Sequence, residues 1–89
     1  MYVWDEAKRR ENLRKHGVDF AIVEGFDWLN SIASEDTSER YGEQRYVSIG
    51  PIGKKIYVLV WTERLDDVIR VISLRDANTI ERKRHEEEL

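Results

Sequence analysis

The stretch at residues 56–74, IYVLVWTERLDDVIRVISL, decides the fold. It holds two runs of β-branched and aromatic residues, 56–62 and 68–74, whose composition favours β-strands. Residues 63–67 separate the two runs, and a connection of that length suits a hairpin. We therefore predict two antiparallel strands here, with Trp61 in the core.

Weaker strand signals precede this pair. Residues 45–49 predict a third strand, followed by a turn at residues 50–53 that contains Gly50, Pro51 and Gly53. A short strand is predicted at 31–34, with a polar loop between it and residue 44. Residues 2–4 form a brief aromatic and β-branched run that predicts a first strand.

Helix signals follow the first strand. Asp5 is a good N-cap and Gly17 suits the left-handed position after a helix, so we predict a helix that ends at His16. Leu13 is its one large apolar residue, which is typical of a surface helix. A second, short helix is predicted after Asp19. Its apolar side consists of Phe20, Val23 and Phe26.

The end of the chain predicts a third helix. Asn78 and Glu81 have capping-box spacing and open a mostly charged helix over residues 79–88. Helices that are separate from consecutive strands are typical of an α+β domain. We predict one domain, residues 1–89, with a short N-terminal strand, two N-terminal helices, an antiparallel sheet of three to four further strands and a C-terminal helix. The uncovered sheet face is the natural place for a site.

Composition excludes several classes of protein. A chain of 89 residues without cysteine fits one small domain, and it has no disulfide scaffold, zinc ribbon or thiol nucleophile. The longest apolar run, residues 56–61, is too short to span a membrane. The early charged residues predict no signal peptide, so we expect a soluble, cytoplasmic protein. No ligand spacing for a metal and no glycine-rich phosphate loop is present, and we expect no cofactor.

The net charge of −3 conceals an uneven distribution. Residues 1–44 carry six Lys/Arg against ten Asp/Glu, whereas residues 45–84 carry nine against five. Three glutamates at 86–88 supply the remaining charge. The basic second half is either a set of solvated faces or a surface for an anionic partner.

Arginines inside apolar strand residues are candidates for anion binding. Simple alternation places Arg70 on one face of its strand and Ser73 with Arg75 on the other. A guanidinium near the core needs an anion, which is either an internal carboxylate or an external phosphate. The internal candidates are Glu63, Asp66 and Asp76.

Lys15 and His16 stand together at a predicted helix end. They either complement the helix dipole or bind a phosphate. RNA can be cut by its own 2′-hydroxyl group when arginines stabilise the charge on phosphorus and a Glu, His or Lys transfers protons. The chain contains this inventory, as do many basic domains.

Six motifs follow one another along nearly the whole chain with defined spacing. They are Trp4-Asp5-Glu6-x-Lys8, Asn12-Leu13-x-Lys15-His16-Gly17-Val18-x-Phe20, Glu43-x-Arg45-x-x-x-x-Gly50, Val60-x-Thr62-Glu63-Arg64, Ile69-Arg70-x-Ile72-Ser73-x-Arg75-x-Ala77 and Glu81-Arg82. In residues and spacing the chain resembles the BrnT-type toxins of bacterial toxin–antitoxin operons.

This resemblance implies a small ribonuclease with a RelE-like fold that inhibits translation by cutting RNA, and the residues present predict that it acts without a metal. It also implies neutralisation by a cognate BrnA-type antitoxin with a ribbon-helix-helix DNA-binding domain. The expected assembly is a toxin–antitoxin hetero-oligomer that represses its own operon. In it the toxin would meet operator DNA only through the antitoxin, and no membrane is involved.

The resemblance also implies site residues. Arg64 and Arg75 are expected to hold the phosphate, with His16, Lys15 or Glu63 in proton transfer. The substrate-binding candidates are Arg70 and Ser73, although Arg70 could be paired within the fold instead. Where the family often has tyrosine, this chain has His85. The acidic first half and the tail at 86–88 would suit docking of a basic antitoxin segment.

Two other functions compete with this one. The chain could be a non-catalytic module that retains only the antitoxin interface and acts as co-repressor of its operon. It could instead bind DNA directly, but it has no helix-turn-helix signature, and its most charged helix ends in glutamates.

Overall fold

The computed structural model describes residues 1–36 and 43–89. The predicted polar loop before residue 44 lies partly outside these residues. The strands are β1 (Tyr2–Val3), β2 (Ile32–Asp36), β3 (Arg45–Ile52), β4 (Lys55–Glu63) and β5 (Ile69–Asp76). The helices are α1 (Glu6–His16) and α2 (Thr79–Glu88), with 3-10 turns at Phe20–Gly25, Trp28–Asn30 and Leu65–Asp67.

The strands form one sheet in the order β1-β5-β4-β3-β2. The pairs β2–β3, β3–β4 and β4–β5 are antiparallel, and β1 runs parallel to β5 over only two residues. The predicted hairpin of β4 and β5 is confirmed. So is the mixed α+β architecture with a short first strand and a C-terminal helix.

A β-bulge interrupts the pairing of β4 with β5. Val60 lies opposite Ser73, but the next residue, Trp61, lies opposite Val71, so Ile72 is an extra residue on β5. A bulge of this kind breaks the strict alternation of side chains. Neither glycine nor proline marks the position in the sequence.

The bulge changes the face on which the β5 side chains lie. Val71 and Leu74 are both fully buried in the core cluster on the α1 side of the sheet. Residues that are directly opposite on paired strands share a face, so Arg70, Ser73 and Arg75 all lie on the other face. The prediction that placed Arg70 opposite to Ser73 and Arg75 is therefore wrong.

Helix α1 has the predicted ends. The Asp5 carboxylate accepts hydrogen bonds from the backbone N–H groups of Ala7 (2.8 Å) and Lys8 (3.2 Å), and Gly17 adopts φ 71° after the helix. Leu13, however, is 40% exposed, whereas Asn12 is buried. A polar residue, not the apolar one, fixes this helix to the sheet.

The Asn12 side chain hydrogen-bonds to the backbone of β5 beyond the point where β1 ends. Its amide nitrogen donates to the Leu74 carbonyl (2.7 Å) and to the Val18 carbonyl (3.0 Å), and its oxygen accepts from the Leu74 N–H (3.2 Å). The edge of β5 at Leu74 therefore has its backbone groups satisfied by one side chain in place of a neighbouring strand.

The predicted second helix is a pair of 3-10 turns. Asp19 caps the first, as predicted, by accepting from the Ala21 N–H (2.9 Å), but an α-helix does not form. Gly25 ends the first turn, and Asp27 caps the second, which leaves too few residues for an α-helix. The predicted apolar side is buried at Phe20, Val23 and Phe26.

Gly50 and Pro51 belong to β3 and not to the predicted turn, which lies at Gly53 with φ 62°. Gly50 is needed for close packing, because a β-carbon there would lie 2.7 Å from Cβ of Ser31 and 2.9 Å from Cζ of Phe26. The strand passes directly over the segment that precedes β2.

Helix α2 covers part of the face that was predicted to be open. Ile49, Val58 and Ala77 form a small buried cluster there, but no residue of α2 itself is buried, and Ile80 is 79% exposed. The predicted capping box of α2 is confirmed. At its other end, Nε2 of His85 lies 2.7 Å from the Asn30 carbonyl oxygen. The helix is thus held mainly by polar contacts.

Candidate functional site

Six of the seven candidate residues line three open grooves: the edge groove, the Glu63 groove and the Trp4 groove. The edge groove lies between α1 and the free edge of β5. It is lined by Lys8, Glu11, Asn12, Lys15, His16, Ile72 and Ser73. Lys15, His16 and Ser73 therefore come together, as expected for residues that bind one ligand.

The Glu63 groove lies where β4 ends. It is lined by Glu43, Gln44, Tyr46, Thr62, Glu63, Arg64 and Leu65. Glu63 and Arg64 are both exposed, and the hydroxyl group of Thr62 is buried without a hydrogen-bond partner in the described part of the chain. A carboxylate and a guanidinium thus share one solvent-accessible wall.

The Trp4 groove lies on the other side of the β4–β5 connection. It is lined by Val3, Trp4, Asp5, Arg64, Leu65, Val68 and Arg70. Arg64 and Leu65 line both this groove and the Glu63 groove, so the two are adjacent. Arg70, which the bulge turns away from the core, enters the site here.

Lys15 and His16 lie at the end of α1 that is remote from the Trp4 groove, although the edge groove itself extends along the helix to Lys8. Asp5 precedes α1 and lines the Trp4 groove, whereas His16 ends α1 and lines the edge groove. The helix between them is about 16 Å long. The structure therefore groups Glu63 with Arg64, and Lys15 with His16, but it does not bring the two pairs into one groove.

Arg64 and Arg70 differ from most arginines of the chain. Arg9, Arg14 and Arg84 each pair with a carboxylate on their own helix. Within residues 1–36 and 43–89, neither Arg64 nor Arg70 forms an ion pair with a described side chain.

Asp76 and Glu63, two of the three internal partners considered for Arg70, do not bind it. Asp76 pairs with Lys55 instead, at 3.1 Å, and Glu63 forms no ion pair with a described side chain. The side chain of Asp66 lies outside what the structure describes. Arg70 is therefore available for an external anion.

Arg75 is occupied. Its two terminal nitrogens donate to the two carboxylate oxygens of Glu81, both at 2.8 Å, and one also donates to the Asp76 carbonyl at 3.2 Å. The pair joins β5 to α2 and fastens the helix to the sheet. To hold a phosphate, Arg75 would first have to release Glu81.

The Arg75–Glu81 pair predicts a pH dependence of stability. Hydrogen bonds from Arg75 lower the pKa of the Glu81 carboxyl group below its ordinary value of 4.5. A carboxyl group whose pKa is lower in the folded than in the unfolded state stabilises the fold at pH values above its unfolded pKa. This stabilisation is lost as the pH falls through the folded pKa. We expect the melting temperature of Glu81→Gln to fall less than that of wild type between about pH 5 and pH 3.

Glutamine at position 81 keeps the capping box, so the variant removes only the titrating group. Glu87→Gln, on the exposed side of α2, is the control and should follow the wild-type curve. Parallel curves for wild type and Glu81→Gln below pH 5 would contradict the prediction.

Trp4 and Asp5 are among the residues of the Trp4 groove that were not predicted as site residues. Trp4 and Asp5 open the first sequence motif, and Asp5 was assigned only to helix capping. Their place beside Arg64 depends on the parallel pairing of β1 with β5, which the sequence does not reveal. Their position in a motif was the one available signal.

Among the described residues, no group of three or more His, Asp or Glu side chains could hold a metal ion. No helix in that part of the chain is long and apolar enough to cross a membrane.

Comparison with known proteins defines the class to which this fold, with its grooves lined by basic side chains, belongs. Residues 4–81 match the model of a family described as the ribonuclease toxin, BrnT, of type II toxin–antitoxin systems. The match includes all seven candidate residues. A comparison with curated protein sequences gave no match.

A solved structure agrees with the family model. The chain is similar to the crystal structure of the Brucella abortus ribonuclease toxin, BrnT, with 31% sequence identity and a TM-score of 0.70. The alignment covers 89% of this chain and 99% of that one. The chain therefore belongs to the BrnT family of ribonuclease toxins, and membership of a type II system implies a cognate antitoxin as partner.

Proposed function

We propose that the chain is a metal-independent endoribonuclease in which Arg64 holds the scissile phosphate and Glu63 accepts the proton of the attacking 2′-hydroxyl group. The supporting observation is that these two residues line one groove. Lys15 and His16, the other candidates for proton transfer, line the edge groove about a helix length away. That Glu63 lines a groove with Arg64 supports its assignment as the base.

The reaction needs no group beyond the chain, its substrate and solvent water. The 2′-oxygen attacks phosphorus as Glu63 takes its proton, and the bond from phosphorus to the 5′-oxygen breaks. The leaving oxygen takes up a proton from water in the open groove. Arg64 stabilises the charge that develops on the phosphate oxygens, to which a guanidinium can donate two parallel hydrogen bonds.

The edge groove then binds another part of the same strand. Lys15 and His16 carry positive charge or hydrogen-bond donors at the end of α1, and Ser73 lies beside them. The separation of about 16 Å between the two ends of α1 fits a strand of several nucleotides lying along the helix. Arg70 supports Arg64, whereas Arg75 remains with Glu81 and secures α2.

The partner and the cellular role follow from the family. We propose a BrnA-type antitoxin with a ribbon-helix-helix domain, which neutralises the toxin in a hetero-oligomer and carries the complex to operator DNA. RNA cleavage in the cytoplasm would inhibit translation, as for RelE-like toxins. The acidic residues of the first half suit contact with a basic antitoxin segment.

The test is cleavage of a defined RNA in EDTA, with analysis of the product ends. We expect cleavage to persist, to leave a 2′,3′-cyclic phosphate and a 5′-hydroxyl group, and to stop when a 2′-deoxynucleotide replaces the nucleotide at the cleavage site. Products with 5′-phosphate ends would contradict the mechanism. Failure of the folded chain to cut free RNA would contradict the proposal as stated and leave two alternatives, cleavage that depends on the ribosome or the non-catalytic co-repressor.

A further inference from the structure

The Trp4 groove has the features of a ligand site beyond the residues that act on the phosphate. Its volume of ≈ 520 Å³ lies within the range of about 300–1,000 Å³ that is usual for small-molecule sites. Val3, Trp4, Leu65 and Val68 give it apolar walls, and Leu65 is 86% exposed. A wall of this kind suits the flat face of an unpaired nucleobase.

The polar groups of this groove are complementary but do not neutralise one another. Asp5 provides a carboxylate, and Arg64 and Arg70 provide guanidinium groups. Although all three line the groove, neither arginine forms an ion pair with Asp5 in the described part of the chain. The carboxylate and the two guanidinium groups therefore line one groove without being paired to one another.

Asp5 retains an acceptor for such a ligand. Its Oδ1 accepts the two hydrogen bonds that cap α1, from Ala7 and Lys8. A carboxylate has two oxygens and about four lone-pair positions, which leaves Oδ2 available. The cap also fixes the position of the side chain before a ligand arrives.

We propose that the Trp4 groove binds an unpaired guanine next to the scissile phosphate. Guanine carries N–H donors at N1 and N2 for the Asp5 carboxylate, and its O6 and N7 accept the two hydrogen bonds that an arginine donates. None of the other three bases offers two adjacent donors on one edge and two acceptors on another. Trp4 and the apolar walls contact its ring.

This inference rests on the proposed function, because Arg64 places the groove beside the cleaved phosphate. The test is therefore one of binding and not of cleavage. Labelled pentanucleotides with a 2′-O-methyl backbone, which has no 2′-hydroxyl group to attack phosphorus, carry G, A, C or U at the central position between uridines. Their dissociation constants are measured by fluorescence anisotropy.

We expect wild type to bind the guanine oligonucleotide about tenfold more tightly than the other three, since a bidentate base contact discriminates to about this extent. Asp5→Asn should prefer guanine less strongly than wild type, because its amide nitrogen presents a donor to the N1 and N2 donors of guanine. Asparagine is as good an N-cap as aspartate, so α1 keeps its end. The matched control is Asp27→Asn, which changes another N-cap outside the three grooves and should keep the guanine preference.

Equal binding of the four oligonucleotides by wild type, or no binding, would overturn the inference. A guanine preference that is as large in Asp5→Asn as in wild type would do the same. If the chain selects guanine but does not cut RNA, the proposed function fails and the guanine site stands. If it cuts RNA but shows no base preference in binding, the proposed function stands and the guanine site fails.

Discussion

Replacement of Arg64 by alanine should lower kcat/KM for RNA cleavage by about 100-fold or more, the usual effect of removing a group that stabilises transition-state charge. Arg64 is exposed and makes no ion pair with a described side chain, so no compensating partner is lost. Its backbone N–H donates to the Val68 carbonyl at 2.6 Å, and alanine keeps that bond. Single-turnover cleavage measures the change.

Two further variants show whether charge or geometry matters. Arg64→Lys keeps the charge but loses the forked pair of donors, and we expect an intermediate rate. Arg84→Ala removes an exposed arginine of α2 that pairs with Glu88 outside the three grooves, and its rate should stay within about twofold of wild type. If Arg64→Ala cut RNA at the wild-type rate, the phosphate would have to lie elsewhere.

Replacement of Asn12 by alanine should destabilise the fold by about 3 kcal/mol or more, because buried polar groups lose their partners. The Leu74 N–H and carbonyl groups and the Val18 carbonyl group all bind this side chain. For a domain of this size, such a loss lowers the melting temperature by roughly 15 °C. Thermal unfolding followed by circular dichroism measures it.

Asn30→Ala is the matched control. Its side chain donates to the Asp27 carboxylate at 2.8 Å on the surface, so we expect a loss below about 1 kcal/mol. The backbone carbonyl that contacts His85 is unchanged. A melting temperature for Asn12→Ala within a few degrees of wild type would show that water replaces its hydrogen bonds.

Local signals predicted the elements of the fold well. Asp5, Gly17 and the Asn78–Glu81 box act within one turn of their helix, so sequence alone could place these helix ends. The bulge at Ile72 depends on how β4 and β5 pair, and alternation within β5 could not reveal it. The face of Arg70 was mispredicted for that reason.

The grouping of site residues was harder to predict. Adjacent residues, such as Glu63 with Arg64, stay together in any fold. Whether Lys15 lies near Arg64 depends on the course of α1 across the sheet, which Asn12 sets through a contact 62 residues away along the chain. The Arg75–Glu81 pair likewise requires α2 to fold back on β5.

The hydrogen bonds of Asn12 also restrict how this domain can change during evolution. A single residue inserted between Asp5 and Asn12 would rotate the asparagine by about 100° around the helix axis and remove it from the sheet. Exposed positions of α1 outside the edge groove can change freely, but insertions and deletions in the helix should be selected against. In the lineage of this toxin, the first helix is therefore a segment of fixed length, whereas length variation is tolerated in surface loops.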